Sequence, residues 1–297
     1  MIRAAMVARL AWTKSRSPET AEDIWTVGLH FEPVTALHDT LAPTKLTQSL
    51  ATYPLAHGPE NRPTLVFLPG ALVPPNALAP VARIVELRAI GVGWLEGPGP
   101  HDLHSVAQRV ALLIEELGPT VLIGHSVGTP VAALAAAIDL RANKPNVVGM
   151  VLSNSGANTK GHGDVESVIE RVLTNWGPEL WKAMTERSLG MTCPAELVEG
   201  FATYPRRITA AAVAESLRSL KNIDLTDMLG QLSRIPTAIV HGARDPARTL
   251  SHAQGLNDGI AGSTLTMLDT GHTSCVEAPV EFAGIVRSIA NRSFRDT

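Results

Sequence analysis

Thr120-Val121-Leu122-Ile123-Gly124-His125-Ser126-Val127-Gly128 runs from a short β-rich apolar stretch into a serine flanked by glycines, and an alanine-rich run from Thr129 to Leu140 follows at once. The first part reads as a buried strand, the last as a helix, and the abrupt turn between them contains Ser126. Glycine two positions to either side lets strand and helix approach without a Cβ clash. The serine takes a strained backbone that lifts its hydroxyl clear of the sheet. The amide of Val127, at the helix N-terminus, then faces the point where an oxyanion develops. The bare G-x-S-x-G pattern arises by chance in many glycine-containing loops; its strand-turn-helix setting gives it weight here.

Working outward, TLVFLPG from Thr64 is a central strand stopped by Pro69 and Gly70. The spacing of Leu78, Val81, Ala82, Val85 and Ala89 predicts a helix, VGWLE a strand, and Val106, Val110, Leu113, Ile114 and Leu117 a second helix capped by Ser105. Val147 to Ser155 is the next strand. Strands alternating with amphipathic helices predict a mainly parallel sheet covered on both faces, because parallel neighbours require crossover connections. From Ala157 to Gln231 strand-like runs cease, and helical stripes appear at Val165, Val168, Ile169 and Val172, at Leu197 and Phe201, and at Val213, Leu217 and Leu220. That stretch is expected to be a helical lid. Sheet logic resumes in PTAIVHGARD and STLTMLDTGH, and a last helix is expected over Pro279 to Arg292. The chain thus divides into a core α/β part over residues 1–156, a helical lid over 157–231 and the rest of the core over 232–297. Before Thr64 two antiparallel strands are expected, one near Trp25 to Pro33, with Leu37 to Tyr53 ambiguous.

A length of 297 residues suits one α/β core with an insertion, and 45% hydrophobic with 18% charged residues supplies a large core. The net charge of -3 gives no basic field to collect nucleic acid or anionic lipid, so the expected partner is a small molecule. Cys193 and Cys275 lack the paired spacing of a structural zinc site and read as reduced thiols, and no cofactor or metal is expected. Arg3 and Arg9 break any signal-like apolar stretch near the start, and no window approaches the roughly 18 apolar residues of a membrane span. A cytoplasmic location is expected.

A serine hydroxyl needs a base to take its proton during attack. His272, in TGHTSCVEAP just beyond the last strand, is the candidate, since a loop there carries the imidazole back over the sheet edge. Any single one of the ten histidines is weak by itself, and position decides for His272. His125 adjoins Ser126, but consecutive residues at such a turn point apart, so it is given a packing role. His101 and His104 read as a polar loop rather than a metal pair. The acid that orients the base is expected at Asp245, ending HGARD, although an aspartate before Pro246 taken alone reads as a turn residue. Asp269 is the runner-up, awkwardly close to His272 in sequence; Asp224 and Asp227 are weaker.

With LPGAL, GHSVG, HGARD and GHTSCVEAP in order, the chain resembles the α/β-hydrolase family, in its serine-nucleophile branch with a helical lid, from roughly Thr64 to the C-terminus. The resemblance implies Ser126 as nucleophile, Asp245 as acid and His272 as base, in that chain order. It also implies an oxyanion hole from the amides of Val127 and Ala71, with Leu72 as the fallback donor. Pro69 stands where the family usually has a histidine, and EGPGPHDLHS is shorter than the usual glycine-rich loop; neither removes a triad member, but both leave the subfamily open. Serine at position 126 disfavours relatives that use an aspartate nucleophile. Esterase is the default: cleavage of a small-molecule ester, or of a lactone or thioester, through an acyl-enzyme. C–C bond hydrolysis, acyl transfer to another alcohol, and a weakly active ligand-binding receptor remain as alternatives. Leu72, Trp176 and Trp181 are candidate substrate contacts, although tryptophans at helical spacing more often pack; Arg206 and Arg207 read as a solvated basic pair.

Overall fold

The computed structural model describes residues 50–189 and 193–295, and within them the strands form one sheet. They are β1 (Ala51–Ala56), β2 (Thr64–Leu68), β3 (Ala89–Gly93), β4 (Thr120–His125), β5 (Val147–Ser153), β6 (Thr237–Gly242) and β7 (Thr264–Leu268), ordered β1-β3-β2-β4-β5-β6-β7 across the sheet. β1 pairs antiparallel with β3, and the remaining pairings are parallel. The crossovers carry α1 (Ala79–Val85), α2 (Leu103–Leu117), α3 (Gly128–Asp139), α4 (Val165–Thr174), α5 (Pro178–Ser188), α6 (Ala195–Thr203), α7 (Ala210–Asn222) and α8 (Leu250–Gly259); α9 (Ser274–Glu277) and α10 (Pro279–Arg295) follow β7.

Side chains alternate across a strand, and in β2 to β6 both parities are almost wholly buried, as a sheet covered on two sides requires. Val66, Leu68, Leu122, Met150 and Leu152 pack with Val106 and Val110 of α2, Val131 of α3 and Leu256 of α8. Leu65, Phe67, Val121, Ile123 and Val151 pack on the other face with Val81 of α1 and with Phe282 and Val286 of α10. Phe67 is fully buried in that second layer, so its truncation to alanine costs about 3–5 kcal/mol.

Local departures from the sequence reading have clear causes. Glu86, at φ 61°, closes α1 by donating its amide to the Ala82 carbonyl, so the chain re-enters the sheet at Ala89, ahead of the expected start of VGWLE. Trp94 and Glu96 consequently lie beyond β3. The cap of α2 is Asp102, whose carboxylate accepts the Ser105 amide at 3.0 Å; Ser105 is a residue being capped. The final helix runs on to Arg295 and is preceded by the short α9. The expected strand near Trp25 to Pro33 lies outside the described residues, as does most of Leu37 to Tyr53, whose last residues belong to β1.

Strand order reverses direction between β2 and β4, and loops at this carboxyl edge face one another across the switch. The same edge receives the chain leaving β5, β6 and β7. Between β5 and β6 come α4 to α7 and a 3-10 segment, Thr226–Arg234. Among the described residues no helix is long and apolar enough to cross a membrane.

Candidate active site

Ser126 sits at φ 53°, in the left-handed region that a residue with a Cβ seldom adopts. Its neighbours show why the turn is this tight: a Cβ on Gly128 would stand 2.0 Å from the Leu68 carbonyl oxygen, and one on Gly124 2.7 Å from Thr129 Cα. The Ser126 amide donates to Ser153 O at 2.9 Å, locking the turn to β5. Pro130 falls in the first turn of α3, where its missing N–H costs nothing.

The structure brings Ser126, His272 and Asp245 together. His272 Nε2 lies 2.9 Å from Ser126 Oγ, and its Nδ1 lies 2.8 and 3.0 Å from the two carboxylate oxygens of Asp245. Asp245 is buried and accepts further hydrogen bonds from the amides of Ala247 (2.7 Å) and Arg248 (3.0 Å) and from Asn154 Nδ2 (3.1 Å). Burial pushes its pKa up, but the hydrogen bonds and charge of His272, helped by Asn154 and the Ala247 amide, outweigh burial and hold the carboxyl well below the usual carboxylate range. It is an anion throughout the neutral range.

Supports missed in the sequence surround this core. Asn154, at φ 53° just past β5, bonds Asp245 and also the Gly271 carbonyl at 3.2 Å, tying the acid loop to the histidine loop. Asparagine tolerates the left-handed region, which made the NS pair after a strand its only signal. Glu277 accepts the amides of Gly271 (2.9 Å) and Thr273 (3.4 Å) on either side of His272. His125 does more than pack: its Nδ1 accepts the Gly70 amide at 3.2 Å, and its Nε2 donates to the His272 carbonyl at 2.8 Å. Burial, then the neighbouring His272, push its pKa down to about 3, so this imidazole is neutral.

Ala71, Leu72 and Val127 line the same cavity as Ser126 and His272. The amides of Ala71 and Val127 donate to no protein acceptor among the described residues. The opposite walls come from the segment between β5 and β6: Val165, Leu180, Met184, Phe201 and Leu217. Two contacts tie the end of α5 to the loops below, Arg187 Nη2 to Pro246 O at 3.2 Å and the Ser188 hydroxyl to that of Thr273 at 2.8 Å.

The other candidates fall elsewhere. Trp176, in the connection between α4 and α5, and Trp181 of α5 meet edge to face, with ring centroids 5.5 Å apart, and neither lines the cavity. Asp269 is a surface residue paired with Arg244 at 3.1 Å, and Asp224 pairs with Lys160 at 2.7 Å. Arg207 lies over the Tyr53 ring, with its Nε 4.0 Å from Glu96. His101 is buried beside Glu215, while His104 is exposed. Cys193 and Cys275 are free thiols, that of Cys193 donating to Pro194 O at 3.6 Å; burial raises Cys275 to about 12.

Residues 65–285 match the model of the Alpha/beta hydrolase family. Among curated proteins, 3-oxoadipate enol-lactonases 2 and 1 of Acinetobacter baylyi are 32% and 31% identical over 97 and 84 residues, which is 33% and 27% of this chain and 36% and 31% of theirs. The aligned segments thus span about a third of the curated relatives' length. An esterase from Exiguobacterium antarcticum superimposes with TM-score 0.70 at 21% identity, covering 82% of this chain and 95% of that one. An enol-lactonase from Burkholderia xenovorans gives TM-score 0.66 at 17% identity over 82% and 96% of the two chains. These likenesses show a shared fold.

Proposed function

The chain belongs to the alpha/beta hydrolase family, and from that premise we propose that it hydrolyses a small-molecule ester or lactone through an acyl-enzyme on Ser126. The carrying observation is the unbroken hydrogen-bond chain from Asp245 through His272 to Ser126, 2.8 Å and 2.9 Å long in its two links. The enol-lactonase and esterase names among its relatives agree with this chemistry.

In this reading Ser126 Oγ attacks the substrate carbonyl carbon while His272 Nε2 takes the hydroxyl proton. Asp245 holds Nδ1–H toward itself and so fixes the tautomer that leaves Nε2 free to accept. The carbonyl oxygen becomes an oxyanion received by the amides of Val127 and Ala71. The tetrahedral adduct collapses, breaking the ester bond to the leaving oxygen, which takes the proton from His272. For a lactone the leaving alcohol stays attached to the acyl chain. Water then attacks the acyl-enzyme, again giving its proton to His272, and the acid departs as Ser126 regains its hydrogen.

Residues 157–231 serve as a lid over Ser126 between the two parts of the core. Two features support this role: α4 to α7 furnish much of the cavity wall, and the end of α5 is bonded to the loops that carry Asp245 and His272. The test is a panel of lactones and esters of graded acyl length, assayed on wild type and Ser126→Ala. Turnover by wild type and its loss in the variant are expected; equal turnover by both would overturn the reading.

A further inference from the structure

Among the described residues three arginines line the cavity that holds Ser126, namely Arg171 of α4, Arg187 of α5 and Arg248 beyond β6, and no aspartate or glutamate does. Among the described residues none of the three forms an ion pair with a carboxylate. Arg171 and Arg187 are exposed at the rim and can be solvated. Arg248 cannot: it is 5% exposed, and its buried Nη1 has no hydrogen-bond partner. A buried, unpaired guanidinium is costly, and such a cost is ordinarily relieved by an anion.

Among the described residues no carboxylate is free to do so. Asp245 is the carboxylate whose charge reaches Arg248, and its oxygens are already engaged by His272, Asn154 and the amides of Ala247 and Arg248. That last amide bond, 3.0 Å, anchors the arginine to the loop bearing the catalytic acid, so its side chain starts beside the reacting centre. His162, also in the wall, is held below its usual pKa by burial and then by the charge of Arg248. Among the described residues the charged side chains that line the cleft are therefore all cationic, with the anion of Asp245 set behind them.

We propose that the cavity selects esters or lactones that carry a carboxylate, received by the Arg248 guanidinium, with Arg171 and Arg187 drawing the anion in from the rim. A carboxylate suits the planar fork of donors and places one negative charge against one buried positive charge. Apolar walls from Leu180, Met184 and Phe201 then enclose the chain between the carboxylate and the scissile carbonyl. This substrate class rests on the hydrolase reading above.

The test compares two p-nitrophenyl esters of equal chain length, the monoester of glutaric acid and the pentanoate, in which a methyl replaces the carboxylate. Wild type is expected to favour the glutarate by roughly tenfold or more in kcat/KM at low salt, and the preference to shrink in about 0.5 M salt. Arg248→Gln should bring the ratio near one, Arg248→Lys should retain part of it, and Arg171→Gln should lower it about twofold at low salt only. Each ratio is taken on one preparation, so partial misfolding cancels. Calorimetric binding of glutarate to Ser126→Ala, with and without Arg248→Gln, supplies a readout free of turnover. Pentanoate turnover without preference for glutarate overturns the anion site and leaves the hydrolase standing. Arg248-dependent glutarate binding without turnover of either ester by wild type overturns the hydrolase and leaves the anion site standing.

Discussion

The Nε2–H of His125 donates to the main-chain oxygen of His272 at 2.8 Å, so the residue before Ser126 holds the loop that carries His272. Its other nitrogen accepts from Gly70, whose successor Ala71 supplies an oxyanion amide in the proposed mechanism. One neutral imidazole thus sets the spacing between the His272 loop and the loop of Gly70 and Ala71. Replacing it with alanine removes both bonds and empties a buried volume. His125→Asn should keep the fold yet lower kcat about 10- to 100-fold, with KM changed only a few-fold, because a displacement of about 1 Å in a reacting group costs on that order. Kinetics with the best ester of the panel, alongside circular dichroism, checks this. An unchanged kcat would reduce His125 to filler.

The same burial predicts a pH dependence of stability. The folded His125 pKa of about 3 lies below the roughly 6.5 of an unfolded histidine, so the unfolded chain binds more protons between those values. Its neutral form therefore favours the fold fully above about pH 6.5, and that contribution declines as pH falls toward about 3. Denaturant midpoints measured from pH 7 to 4 should fall for wild type and fall less steeply for His125→Asn. Parallel profiles would assign the acid sensitivity to other groups.

The acid can be assigned by paired substitutions. Asp245→Asn offers the base an amide in place of an anion and should cut turnover by about three orders of magnitude or more. Asp269→Asn disturbs a pair with Arg244 at the surface and should leave turnover within about twofold. The reverse ranking would move the acid role to Asp269.

The meeting of the three candidate residues was more legible than the scaffolding that holds them. Ser126, His272 and Asp245 are each marked by the strand they follow, and strand order at one sheet edge brings distant segments together without further information. Asn154 and Glu277 carry no such mark, because their roles are hydrogen bonds to loops whose paths a sequence does not display. His125 was misjudged for a similar reason: pointing away from the Ser126 hydroxyl does not stop a side chain from reaching the backbone of His272. The shifted start of β3 turns on a single left-handed residue, Glu86, which no propensity announces. The tryptophans show the converse, since large apolar residues in an insertion attract a ligand role that their mutual packing already explains.

Trp176→Ala and Trp181→Ala should accordingly lower stability without altering substrate choice. A double-mutant cycle in denaturant is expected to give a coupling of about 0.5–1.5 kcal/mol for the edge-to-face pair. Ratios of kcat/KM between short and bulky esters should stay as in wild type. A change in those ratios, with no coupling, would return the pair to the substrate pocket.

Covalent capture at Ser126 tests the central claim most directly. Wild type treated with a fluorophosphonate, or quenched in acid during turnover of a slow ester, should carry the adduct mass on the peptide containing Ser126, and Ser126→Ala should carry none. Full hydrolytic activity in a protein that acquires no adduct, or an adduct that persists in Ser126→Ala, would contradict it.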